Sequence, residues 1–144
     1  MNVSLPHDGL AGAKPSLIAC PTGCSGKSFI PRHVLWYRKR FTLPSTWTSH
    51  STSDGEVSNI WLDFDGAFRN STVWINGQLV NQHVCGYTPF RIYLALAPHC
   101  PVRASGPNVI SVFVDPDNGA AGGGGESAGA GLTNLVRVRV RVRV

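Results

Sequence analysis

Eight acidic residues, Asp8, Asp54, Glu56, Asp63, Asp65, Asp115, Asp117 and Glu126, and five histidines, His7, His33, His50, His83 and His99, are the side chains most able to do chemistry in this chain. General acid–base catalysis requires such groups within hydrogen-bond reach of one reacting atom. Each carboxylate falls in a loop or at an outward strand position, and no two form a recognisable catalytic pair. The histidines show neither H-x-H nor H-x-x-x-H, the spacings that set two metal ligands on one face, so they read as surface or loop residues. Cys20 and Cys24 are separated by three residues, which misses the C-x-x-C redox spacing, and Cys85 and Cys100 supply no second half of a zinc site. All four read as free thiols. There is no G-x-S-x-G elbow, and the glycine run at 122–125 has neither the lysine nor the strand context of a phosphate cradle. The residues imply no metal and no cofactor.

The elements that position these groups follow from composition and periodicity. A chain of 144 residues holds one domain, and 42% hydrophobic residues with 16 Gly and 10 Pro describe a folded, turn-rich body. Short runs of Val, Ile, Phe and Trp favour strands, and no long stretch carries a helical period. The expected fold is all-β, a β-sandwich or jelly roll. Of the 13 basic residues, Arg137, Arg139, Arg141 and Arg143 lie in the terminal run, so most of the formal charge of +5 does not belong to the body. On that charge count a basic face with interleaved aromatics is not expected in the body, and nucleic acid is not an expected partner. Neither a signal peptide nor a membrane span is visible, and the sequence assigns no compartment. Asn70-Ser71-Thr72 and Asn2-Val3-Ser4 match the N-glycosylation pattern, which matters only in a secreted chain.

Four regions are expected. Residues 1–33, rich in Pro, Gly, Ser and Cys, form an entry loop region. Residues 34–116 form the sandwich core. Within it, Leu35, Tyr37 and Phe41 share one strand face, with Trp36, Arg38, Arg40 and Thr42 on the other, and Pro44 ends the strand. Residues 45–58 are polar and include an Asp54-Gly55 turn. Ile60, Leu62 and Phe64 face inward, leaving Trp61, Asp63 and Asp65 outward. Asn76-Gly77 closes a type I′ hairpin flanked by Val73, Ile75, Leu79 and Val80. Tyr87 and Phe90 read as core anchors. Ile92, Leu94 and Leu96 share one face of the next strand, and Ile110, Val112 and Val114 share a face of another. Residues 117–131 form a Gly/Ala-rich low-complexity loop expected to be flexible. Residues 132–144 read as a closing strand, because strict Arg/Val alternation suits only an extended chain, or as a low-complexity tail.

Several of these segments carry a resemblance. V-W-I-N-G-Q-L-V at 73–80 followed by G-Y-T-P-F at 86–90, W-Y-R-K-R-F-T-L-P at 36–44, W-L-D-F-D-G-A at 61–67, N-V-I-S-V-F-V-D at 108–115 and L-P-H-D at 5–8 occur in one order. Together they resemble the N-terminal sugar-binding domain of glycoside hydrolase family 2, which includes β-galactosidases, β-glucuronidases and β-mannosidases. The segment at 129–136 is similar to that family's lead-in to its closing strand, with Thr133 and Asn134 where an aromatic and an arginine usually stand.

The resemblance implies a galactose-binding-like jelly roll acting as an accessory domain of a β-galactosidase-like hydrolase. In that family both catalytic glutamates sit on a separate (β/α)₈ barrel of typically ~250 residues, and retaining cleavage requires two carboxylates about 5–5.5 Å apart. The chain alone is accordingly expected to be inactive, with carbohydrate, the barrel and a following sandwich domain as partners. The L-P-H-D loop implies that Asp8 contacts sugar at the rim of the active site; an Asx turn within its own loop is the other reading. Trp61 and Trp74, at outward positions, are candidate sugar-stacking surfaces or packing surfaces for a neighbouring domain. A free-standing carbohydrate-binding module and a non-functional truncated remnant are the alternative functions.

Overall fold

Because successive strand residues point to opposite sides, a strand that alternates apolar and polar residues can bury one face only against a second sheet. A computed structural model of the chain describes residues 2–9, 12–16, 33–48, 60–68, 70–94, 101–115 and 135–142. They form β1 (His7–Asp8), β2 (Leu35–Thr42), one helical turn α1 (Ser45–Thr48), β3 (Ile60–Ala67), β4 (Ser71–Ile75), β5 (Gln78–His83), β6 (Phe90–Leu94), β7 (Pro107–Val114) and β8 (Leu135–Val142). Two antiparallel sheets result, one in the order β1-β8-β3-β6 and the other β2-β7-β4-β5. This is an all-β sandwich with the strand order of an eight-stranded jelly roll.

The core lies between the sheets. Ile60, Leu62 and Phe64 of β3 and Ile92 and Leu94 of β6 meet Val73 and Ile75 of β4 and Ile110, Val112 and Val114 of β7. Burying each such side chain contributes roughly 1.5–3 kcal/mol. β8 runs beside β3, its register setting Val138, Val140 and Val142 opposite Phe64, Leu62 and Ile60, and Arg139 and Arg141 opposite Asp63 and Trp61. A register shift between Phe64 and Gly66 leaves Asp65 as the extra residue of a bulge. β1, which lies within the expected entry loop region, pairs with the other edge of β8. The Gly/Ala-rich segment, the Asp54-Gly55 turn, Leu96 and Cys20, Cys24 and Cys100 lie outside the described residues.

The hairpin turn has φ of 50° at Asn76 and 86° at Gly77, as a type I′ turn requires. The strands beyond it are not in simple register. Val73 opposes Asn81 while Trp74 opposes Leu79, so Val80 is the extra residue of a second bulge. Val80 packs against the core as a result, and Leu79 is 51% exposed. Tyr87 is likewise not a core anchor, being 59% exposed. The reason is the close approach of the loop backbone: a Cβ on Gly86 would lie 2.8 Å from Phe68 Cα, so buried Phe68 fills the space and Tyr87 meets it edge-on at 5.2 Å. Phe90 does anchor, stacked on Phe64 at 4.4 Å.

A polar clamp ties the hairpin to β7. Asn76 Nδ2 donates to Pro101 O (2.6 Å) and Asn108 Oδ1 (2.8 Å), while Asn76 Oδ1 accepts from Val109 N at 2.9 Å. Fully buried Asn108 accepts from Arg103 N at 2.7 Å and donates to Arg103 O at 3.0 Å. Replacing Asn108 would strand several buried groups, each costing about 1–3 kcal/mol. Asn108→Ala should therefore lower stability by about 2 kcal/mol or more, read as an earlier urea midpoint with the transition slope retained.

Candidate functional site

The three residues singled out for ligand contact sit at three separate places, because strand alternation and sheet order assign each independently. Asp8 belongs to the edge strand β1, opposite Leu135 of β8. Its neighbour His7 reaches across to the other sheet, where Nδ1 shares a 2.8 Å hydrogen bond with the Tyr37 hydroxyl and the two rings meet edge to face. The clamp thus holds the Asp8 strand against β2. Burial, and then the negative charge of Asp8, push the Tyr37 hydroxyl above its ordinary pKa.

Trp61 lies on the outward face of the β3 sheet. The Arg91 guanidinium stands 4.8 Å over its ring and covers one face, while Arg91 Nε donates to Asp63 Oδ1 at 2.5 Å. The Trp61 Nε1 is buried and meets no hydrogen-bond acceptor among the described residues. Beside this stack a depression of about 390 Å³ is lined by Asp63, Phe64, Asp65, Pro89, Phe90 and Arg91. The bulge at Asp65 and the Gly86–Phe90 loop shape its walls.

Trp74 lies on the outward face of the opposite sheet, where it stacks on Trp36 with centroids 5.3 Å apart and planes 25° apart. Trp36 also meets Phe113 at 4.9 Å. Trp36 escaped the sequence reading as a ligand candidate, although its outward parity on β2 was already visible. Because Trp61 and Trp74 occupy opposite outer faces of the sandwich, they do not form one site together, nor with Asp8.

Among the described residues no three of His, Cys, Asp and Glu gather as a metal site. Cys85 is exposed and its thiol pKa is lowered, first by the Thr88 hydroxyl and then by backbone hydrogen bonds from Tyr87 and Thr88. Thr88 Oγ1 in turn meets His83 Nε2 at 3.0 Å.

No family model matches the chain. It is 33% identical over 113 residues to the β-galactosidase BoGH2A of Bacteroides ovatus, covering 78% of this chain and 12% of that protein. It superposes with a TM-score of 0.67 on a β-glycosidase from Bacteroides vulgatus at 29% identity, over 96% of this chain and 16% of that one. A glycosyl hydrolase family 2 member from Bacteroides cellulosilyticus matches at 26% identity and a TM-score of 0.57, over 82% of this chain and 14% of that one. The chain is a domain of glycoside hydrolase family 2. This family 2 domain spans only 12% to 16% of the length of those larger proteins.

The Tyr37 clamp has a pH signature. Since folding raises the Tyr37 pKa, its contribution to stability is complete below the unfolded value of about 10. It is lost as pH rises through the folded value. Denaturation midpoints measured against pH should fall less steeply above about pH 10 in Tyr37→Phe than in the parent chain.

Proposed function

We propose that this family 2 domain is the accessory sugar-binding domain of a β-galactosidase-like hydrolase acting on O-glycosyl compounds, without catalytic activity of its own. One observation carries the reading: nearly all of the chain, 96%, aligns with a 16% portion of a larger β-glycosidase. Its proposed partners are a (β/α)₈ barrel carrying the catalytic carboxylates, a following sandwich domain, and terminal β-linked sugar. Fold analogy supplies the sugar chemistry. Its role is positional: the domain buttresses the barrel and shapes one rim of the substrate pocket.

Asp8 is the proposed rim residue. It sits on an edge strand at one side of the sandwich, and the His7–Tyr37 hydrogen bond fixes that strand to the second sheet. A carboxylate held this way can accept hydrogen bonds from sugar hydroxyls with little ordering cost. Trp61 and Trp74 are then surfaces for sugar or for a neighbouring domain.

Two measurements test this. The chain alone should release no nitrophenol from nitrophenyl β-galactoside, β-glucuronide or β-mannoside. Grafted in place of the matching portion of the Bacteroides vulgatus β-glycosidase, it should preserve hydrolysis, and Asp8→Ala in that chimaera should lower kcat/KM by roughly tenfold or more, the loss of one charged hydrogen bond. Hydrolysis by the chain alone, or a folded chimaera indifferent to Asp8→Ala, would contradict the proposal.

A further inference from the structure

The outward face of the β2-β7-β4-β5 sheet joins aromatic and basic residues, against the expectation from net charge, because register gathers Arg38 and Arg40 beside Trp36, Trp74 and Phe113 from separate strands. Register places Trp36, Phe113 and Thr72 in one row across β2, β7 and β4, and Arg38, Ser111, Trp74 and Leu79 in the next, with Arg40 beside Val109 beyond them. Trp36, stacked on Trp74 and against Phe113, keeps 63% of its surface in solvent, and Leu79 is exposed beside Trp74. Two stacked indoles expose a flat, rigid aromatic surface whose underside is already packed, so little ordering remains to be done on binding.

The polar groups on the same face select the occupant. Arg38 and Arg40 are exposed on β2, and Thr72, Ser111 and Gln82 add hydrogen-bonding groups. Among the described residues of the face, carboxylate appears only at Asp115, just beyond the end of β7. Guanidinium forks match planar carboxylates, and an aromatic plane matches the C–H face of a pyranose ring. An apolar protein surface would leave the arginines unpaired, and a neutral glycan would leave their charge unused.

We propose that this sheet face is a binding platform for an anionic glycan, a chain of uronic acid residues, with Trp36 on Trp74 as the stacking surface and Arg38 and Arg40 holding its carboxylates. The platform lies on the outer face of one sheet, whereas Asp8 lies on an edge strand of the other, so it is distinct from the rim contact and does not depend on it. It would keep an acidic polysaccharide near the domain without touching the bond to be cleaved. A single-stranded nucleic acid offers stacking bases and negative charge as well, and the experiment separates the two.

Tryptophan fluorescence of the chain is titrated with oligogalacturonate, with a neutral cello-oligosaccharide and with a single-stranded oligonucleotide at low and high salt. Oligogalacturonate should shift the emission and bind more tightly than either other ligand, weakening as salt rises. Trp36→Ala should weaken that binding by roughly tenfold or more through loss of the stacking plane, and Arg38→Gln should weaken it and flatten its salt dependence. Thermal unfolding checks that each variant remains folded; should Trp36→Ala not fold, Arg38→Gln alone decides. No response to oligogalacturonate, equal affinity for the neutral glycan, tighter binding of the oligonucleotide, or folded variants with parental affinity would each overturn the proposal.

Discussion

Period-two burial is the constraint on which the rest of this molecule depends. Ile60, Leu62 and Phe64 can leave water together only if Trp61, Asp63 and Asp65 stay on the other side of β3, and the same rule acts on β2, β4 and β7. The core and the distribution of chemistry are therefore one outcome. Aromatic and charged residues excluded from the interior gather on two outer faces that the sandwich itself keeps apart. Each of those outer surfaces is assembled from cross-strand neighbours and not from residues close in sequence.

Polar clamps set how the strands are joined once the faces are chosen. Asn76 serves twice: its positive φ makes the hairpin turn, and its amide, with that of Asn108, knits the turn to the 101–103 segment and β7. His7 and Tyr37 act similarly between the sheets, binding a two-residue strand that has almost no apolar burial to hold it. Gly86 has a third kind of joining role, since only a residue without a Cβ lets the 84–89 loop close over Phe68.

The strong strands were legible because apolar residues recur at every second position, as at Ile60, Leu62 and Phe64 and at Ile110, Val112 and Val114. The Asn76-Gly77 turn was legible because few other pairs accept positive φ twice. What escaped were the features that break the period. The bulge at Val80 exchanges the places of Leu79 and Val80, and nothing local in the sequence marks it. Tyr87 was misread because its exposure is decided by a contact with distant Phe68. Asn108 could have been found: it shares parity with Ile110, Val112 and Val114, and a polar residue on a core face needs buried partners. Of the ligand candidates, alternation alone located Trp61 and Trp74, but their partners, Arg91 and Trp36, come from cross-strand register, which one sequence does not reveal.

A family 2 sandwich can serve as a rigid accessory part only if its two sheets behave as one body, with the surfaces on either side held in fixed relation through the shared core. Amide hydrogen exchange followed residue by residue tests this most directly. The account predicts that amides of β3 and β6 in one sheet and of β4 and β7 in the other exchange through a single global opening, with a common free energy and a common denaturant dependence. Two separate classes of opening, with one sheet losing protection while the other keeps it, would contradict the account.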